Sequence, residues 1–251
     1  MRPRRLIAAL LMLMFGPLLV SAGGVAADGQ QWWQARRDAS GQAPDPVTTT
    51  DAVIQVYAAR TWGWRGAFAV HTWVAVKPSH AARYTRYEVM GWGVDRGNPA
   101  VRVDRYAADA WWHGAYPELI LDRRGGPEVD ALIEKVKAAV ESYPYPRDYV
   151  MWPGPNSNTF TAHIGREVPE LRLTLPSIAI GKDYLPGGAL MAWSPSGTGA
   201  QLSLFGVLGI MAGVDEGLEL NLLGLSLGID PLGLAVSLPG LGRIGAARHA
   251  S

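Results

Sequence analysis

Ser157 lies in Trp152-Pro153-Gly154-Pro155-Asn156-Ser157-Asn158-Thr159-Phe160, where two prolines and a glycine fix the approach to a helix. That helix is expected to run toward Pro169 with Phe160 and Ile164 on one face. A hydroxyl at its start sits among free backbone N–H groups and a positive dipole end, which favours an anion or a developing negative charge. Asn156 or Ser157 is equally a natural N-cap, so the same residues also fit a plain helix start. The nearest candidate for an acid or base is His71, in the clearest strand of the chain, over residues 67–77. There Phe68, Val70, Thr72, Val74 and Val76 share one face, and Ala67, Ala69, His71, Trp73 and Ala75 share the other. Small neighbours leave room beside the imidazole, although a lone strand histidine is commonly structural. Residues 84–90 read as its hairpin partner, with Tyr84, Arg86, Glu88 and Met90 on one face. If Glu88 shares the side of His71, its carboxylate can orient the ring; the alternative is a surface pair with Arg86 that contributes little.

Composition narrows the chemistry. The chain has no cysteine, which excludes disulfides, thiolate metal sites and a cysteine nucleophile, so covalent chemistry must use oxygen or nitrogen. No cofactor or metal is expected. The formal charge of +1 includes Arg2, Arg4 and Arg5; without them 20 basic residues face 22 acidic ones, a net of −2 that leaves no electrostatic footprint for nucleic acid. With 251 residues, 48% hydrophobic and 18% charged, the chain can bury one substantial core and a small appended unit. The 30 Gly and 18 Pro imply many turns, and 10 Trp with 9 Tyr favour strands and aromatic surfaces over a helical bundle.

The elements that must position these residues follow in order. Residues 1–27 open with Arg2, Arg4 and Arg5 and then carry no charge, a positive n-region and an apolar h-region that read as an export signal. Val25-Ala26-Ala27 offers small residues for cleavage, while an uncleaved anchor fits the same stretch, interrupted by Gly16-Pro17 and Gly23-Gly24. Either way the folded part is expected in the bacterial envelope, in the periplasm or held at the inner membrane. Residues 28–50 are polar and read as a linker whose Trp32-Trp33 pair meets the membrane interface or fills a core groove. A domain over 51–185 begins with a strand at 52–58 and a turn at Trp62-Gly63-Trp64-Arg65-Gly66. After the hairpin comes a half-exposed strand over 100–106, then an aromatic loop, Trp111-Trp112-His113-Gly114, whose His113 can line a cleft but is expected in solvent. Gly126-Pro127-Glu128 starts a helix with Val129, Leu132, Ile133, Val136 and Val140 at helical spacing, stopping before Pro144. Residues 186–251 form a Gly/Leu-rich apolar β extension with strands over 201–210, 217–228 and 232–238. Its alternation is poor and both faces look apolar, which calls for burial in the core, lipid or a partner; a packed β-layer is expected rather than insertion. The fold class is α+β, an antiparallel sheet with flanking helices.

Through His71-Thr72-Trp73-Val74-Ala75-Val76-Lys77, Tyr87-Glu88-Val89-Met90-Gly91-Trp92-Gly93 and Gly154-Pro155-Asn156-Ser157-Asn158-Thr159-Phe160, the chain resembles a bacterial family of signal-bearing proteins described only as a domain of unknown function. That resemblance implies no activity. A more distant one is to the circularly permuted papain-like thiol hydrolases, which include the PPPDE-type deubiquitinating and desumoylating peptidases and the lecithin:retinol-acyltransferase-like enzymes. They share a strand histidine followed much later by an Asn-nucleophile-Asn-x-Phe turn opening a helix. The resemblance implies a permuted papain-like fold, with His71 as general base, Ser157 in the place of the nucleophilic cysteine and Glu88 as the residue orienting the base. The replacement matters, because a serine hydroxyl is far less acidic than a thiol and needs its base within about 2.6–3.2 Å during attack. An N–H of Ser157 or Asn158, with the Asn156 side chain, is a candidate oxyanion hole.

Three functions compete: a hydrolase or acyltransferase on an amide or ester bond; a non-catalytic module using Trp73, Trp92, Trp111, Trp112 and Trp152 to hold a peptide, glycan or lipid; and a membrane-associated structural protein whose apolar tail is the working surface.

Overall fold

The computed structural model describes residues 3–24 and 31–246, so Arg2 and the cleavage residues 25–27 lie outside the described residues. The first helix, α1 (Pro3–Gly24), leans on the rest of the chain: Met14 is buried, and Ser21 Oγ hydrogen-bonds the carbonyls of Ala67 and, at 3.1 Å, Gly240. Of its side chains those of residues 11–22 are described, and among the described residues no helix is long and apolar enough to cross a membrane.

Strands β1 (Ala52–Arg60), β2 (Val70–Lys77), β3 (Thr85–Val89), β4 (Val101–Val103) and β5 (Glu118–Gly125) form an antiparallel sheet in the order β4-β3-β2-β1-β5. The expected strand over 67–77 starts at Val70 because residues 63–67 tighten into a 3-10 turn. β5 was not marked by sequence pattern; its Leu119-Ile120-Leu121 is too short to show a period, and pairing with β1 makes it a strand. Alternation along β2 divides the sheet cleanly. Val70, Val74 and Val76 join a core with α2 (Pro127–Glu141) and α3 (Ser157–Glu167), whereas Trp73 and Ala75 pack with Tyr57, Met90 and Trp112 on the opposite face. Val129, Ile133, Val136 and Ala139 are the buried stripe of α2, the two valines and the isoleucine each contributing about 1.5–3 kcal/mol when fully buried.

The stretch expected as a linker is folded onto that second face from residue 31 onward. Asp109 supplies the reason: its Oδ2 accepts from Ser40 Oγ (3.0 Å), Gln42 N–H (2.6 Å) and Ala43 N–H (3.1 Å), while Trp111 N–H and Gly114 N–H donate to the carbonyls of Asp38 and Arg36. Trp32 meets Trp92 and His113 at ring distances of 5.9 and 6.2 Å.

The C-terminal extension is a seven-stranded antiparallel meander: β6 (Met191–Trp193), β7 (Gly199–Leu204), β8 (Leu208–Gly213), β9 (Gly217–Leu222), β10 (Leu225–Asp230), β11 (Ala235–Leu238) and β12 (Gly242–Gly245). The runs 201–210 and 217–228, expected as single strands, each fold into a hairpin. Leu223 and Gly224 both take positive φ (56° and 82°), as the favoured two-residue hairpin turn requires, and Phe205 and Gly206 (53° and 73°) do so in the three-residue connection between β7 and β8. The expected poor alternation is also corrected, for β7 and β9 alternate strictly, with the polar residues inside. The docking contact explains this: Lys182 Nζ donates to Glu219 (2.6 Å), and Asp183 accepts from Gln201 (2.6 Å) and Asn221 (2.7 Å). Arg166 on α3 donates to Gln201 (2.7 Å). The sheet therefore docks through a buried polar network, and its leucines face outward.

Candidate functional site

Asn156 starts α3. Its Oδ1 accepts the N–H groups of Asn158 (2.9 Å) and Thr159 (3.2 Å), and the Thr159 hydroxyl returns to the Asn156 N–H side, closing a capping box. The Asn156 amide donates to the carbonyls of Met151 (3.0 Å) and Ile180 (3.1 Å), so all of this side chain is committed to building the turn. Gly181 is required beside it: at φ 102°, an added Cβ would lie 2.3 Å from Asn156 Nδ2. Asn158 is a second fastening. Its amide donates to the carbonyls of Val70 (3.0 Å) and Ile180 (2.8 Å), and Thr72 Oγ1 lies 2.9 Å from its Oδ1. One asparagine thus ties the start of α3 to the strand residue before His71. Ser157 is left as the first helical residue, its N–H without an intrahelical acceptor, and no described residue hydrogen-bonds its hydroxyl.

His71 is 5% exposed, and its Nε2 lies 3.0 Å from Glu88 Oε2. The pairing of β2 and β3 puts both on the second face of the sheet, which alternation within each strand leaves open. Arg86 is not an alternative partner but a third member: its Nη2 donates to the same Glu88 oxygen at 2.7 Å, and its guanidinium lies 4.1 Å over the ring of Trp73. Trp112 stacks on the imidazole with ring centroids 3.6 Å apart and planes 8° apart, and Trp92 stacks on Trp112 at 5.9 Å. Burial pushes the His71 pKa below the ordinary imidazole value, against the Glu88 hydrogen bond and charge that raise it. Burial alone would lift Glu88, but the His71 hydrogen bond and the Arg86 charge outweigh it and hold the carboxyl below its usual value. The pair is a neutral imidazole donating Nε2–H to a carboxylate, which leaves the Nδ1 lone pair as the basic atom, engaged by no described residue.

These groups meet in a cavity of about 630 Å³. His71, Ser157, Asn156 and Asn158 line it, as do Trp92, Trp112 and Trp152; Trp152 is half exposed, with its Nε1–H on the Leu223 carbonyl at 3.0 Å. No hydrogen bond joins His71 to Ser157 among the described residues. Trp73 and Trp111 do not line the cavity. Trp73 is buried under Arg86 with its Nε1–H on the Ala108 carbonyl (2.7 Å), and Trp111 is held outside by the Arg36 guanidinium 4.2 Å from its ring. His113, expected in solvent, is 3% exposed and lines the cavity. Its Nδ1 accepts from Arg37 Nε at 3.1 Å, and burial with the Arg37 charge lowers its pKa to about 4. Trp64 and Phe68 from the 3-10 turn, with Tyr149 and Ile180, complete the apolar wall; nothing in their spacing marks them, since these three segments are brought together by the fold. Among the described residues no group of three His, Asp or Glu could hold a metal ion.

The sequence pattern of the family described as Protein of unknown function (DUF3750) matches residues 51–184. The chain belongs to that family. The match takes in the five-stranded sheet, α2, α3 and every cavity residue, and stops before β6, so the C-terminal sheet and residues 31–50 lie outside it. No curated protein and no solved structure matches the chain.

Proposed function

We propose that this is an envelope hydrolase or acyltransferase with a permuted papain-like domain, acting on an amide or ester bond through Ser157 and His71. The observation that carries the reading is a neutral histidine, braced by a buried carboxylate, in the same apolar cavity as an unengaged serine hydroxyl at a helix N-terminus. In the reaction, His71 Nδ1 takes the Ser157 hydroxyl proton as Oγ attacks the carbonyl carbon. Glu88 stabilises the imidazolium that forms, and the Ser157 N–H at the positive end of α3 donates to the tetrahedral oxyanion. His71 then protonates the leaving group, and water, or a hydroxyl or amine acceptor, releases the acyl group from Ser157. Asn156 and Asn158 act as positioning residues, because their side-chain amides are spent on backbone carbonyls. The serine–histidine hydrogen bond forms with substrate in place, as catalytic contacts commonly tighten in the Michaelis complex. Treatment with a fluorophosphonate followed by peptide mapping tests this: the adduct is expected on Ser157 and lost in His71→Ala, and an unlabelled wild-type protein that retains its thermal unfolding midpoint refutes it.

The missing His71–Ser157 hydrogen bond, together with the Trp92–Trp112 stack in the wall, favours a second reading, a binding module for a peptide, glycan or lipid at the membrane surface. In that case Trp112→Ala abolishes ligand retention while Ser157→Ala leaves it intact.

A further inference from the structure

The C-terminal sheet has its polarity reversed relative to a sheet covering a core. Gln201, Ser203, Glu219, Asn221 and Ser226 are buried against the domain, and the intervening positions point away from it. Register makes those outward positions continuous. One row runs Met191, Leu202, Ile210, Leu220, Leu227 across five strands, a second runs Leu204, Leu208, Leu222, Leu225, and a third crosses the sheet from Trp193 to Ile244. No charged residue stands in any of the three. The four strands of six residues, β7 to β10, span about 20 Å, the outer three are shorter, and seven strands measure about 29 Å across, so the face is on the order of 500 Å², at the upper end of what a soluble monomer exposes. Apolar outside and polar inside with period two is the pattern of strands that face hydrocarbon.

We infer that this face docks on the hydrocarbon of a lipid bilayer leaflet. The absence of charge suits an uncharged acyl layer, and the apolar surface extends beyond the strands at both ends. Phe205 and Leu223 are exposed in the turns at one end, and Leu232 and Leu234, at 78% and 80%, at the other. A facing sheet from a second copy would cover the rows but not those turns. α1, which packs against β10 and β11, also leaves Met12, Leu19 and Val20 exposed. Trp193 on the edge strand is 70% exposed, where an interfacial indole belongs. The Leu223-Gly224 turn also touches Trp152 and Ile180 of the cavity wall, so docking brings the cavity rim to the lipid headgroups. The inference stands independently of acyl transfer.

The chain has no cysteine, so one introduced thiol carries one label. Full-length protein with Leu202→Cys, Ile210→Cys or Leu220→Cys is labelled with an environment-sensitive fluorophore and added to phosphatidylcholine vesicles containing nitroxide lipids. Glu134→Cys on α2, whose side chain is 71% exposed, is the reference. The expected result is a blue shift and quenching at the three sheet positions and neither at Glu134. Adding Leu220→Glu to Leu202→Cys is expected to abolish the quenching at 202 with an unchanged unfolding midpoint, because both sites are already exposed. Quenching absent from the sheet while a label at Leu19→Cys on α1 is quenched overturns the inference. So does quenching that is equal at all four original sites. Cross-linking of sheet labels between copies without lipid quenching also overturns it, by giving the face to a second copy.

Discussion

Removing Glu88 tests whether the histidine is braced as described. The carboxylate is fully buried, and one of its oxygens serves both His71 at 3.0 Å and Arg86 at 2.7 Å. At the effective dielectric of about 20 that suits such sites, opposite charges about 4 Å apart attract by about 4 kcal/mol. Deleting one member of a buried pair costs about 3–5 kcal/mol because the other charge is stranded. Glu88→Ala should therefore lower unfolding stability by about 3–5 kcal/mol, and Glu88→Gln by roughly half of that, since the amide oxygen can still accept from His71 and Arg86 while its NH2 takes the place of the unpartnered Oε1. Pairing Glu88→Leu with Arg86→Met should recover most of the loss, because an apolar replacement of both partners strands no charge. Urea unfolding at constant m value measures all of these. A loss below about 1 kcal/mol for Glu88→Ala would show that the pair is not sequestered from water and that the histidine lacks its brace.

Three further outcomes follow. Lys182→Met strands Glu219, whose pKa burial already raises, and should cost about 3–5 kcal/mol and open the C-terminal sheet to protease ahead of the domain; a protease-resistant variant contradicts the polar docking. Asn156→Ala removes the cap and should cost about 1–2 kcal/mol from the cap alone, read as a lower unfolding midpoint, with Asn156→Asp restoring the acceptor but not the donors to Met151 and Ile180. His71, His113 and His163 all have pKa values lowered by burial, so the unfolded chain binds protons that the folded one refuses. The stability they provide is whole above pH about 6.5 and falls as pH drops toward 4, by up to about 1.4 kcal/mol per unit for each group. Tm should drop between pH 7.5 and 5, less so in His113→Gln, and a flat profile contradicts the burial of the ring.

Much of the site is legible in residue pattern. Alternation over 67–77 and 84–90 gives His71 and Glu88 each a defined face of its own strand, and the Pro-Gly-Pro-Asn-Ser run gives the capped start of α3, because both depend on local geometry; that the two faces coincide comes from the β2–β3 register. What escapes the sequence depends on distant partners. Asp109 organises residues 40–43 from across the chain, and Lys182 with Asp183 turns the polar side of the C-terminal sheet inward, so neither a folded N-terminal segment nor an inverted sheet shows in a window of ten residues. The hairpin turns at Phe205-Gly206 and Leu223-Gly224 lack the Asn-Gly or Asp-Gly signature, and their leucine-rich flanks read as unbroken strands.

On the proposed mechanism His71 reaches the hydroxyl of Ser157 at the N-terminus of α3. In Ser157→Cys the introduced thiol is the only one in the chain, so its alkylation rate against pH reports the site alone. Beside an imidazole and a helix N-terminus its pKa should fall below the free value of about 8.5, and His71→Ala in the same background should return it toward that value. A thiol that titrates at or above about 8.5, unchanged by His71→Ala, would mean that His71 does not serve position 157.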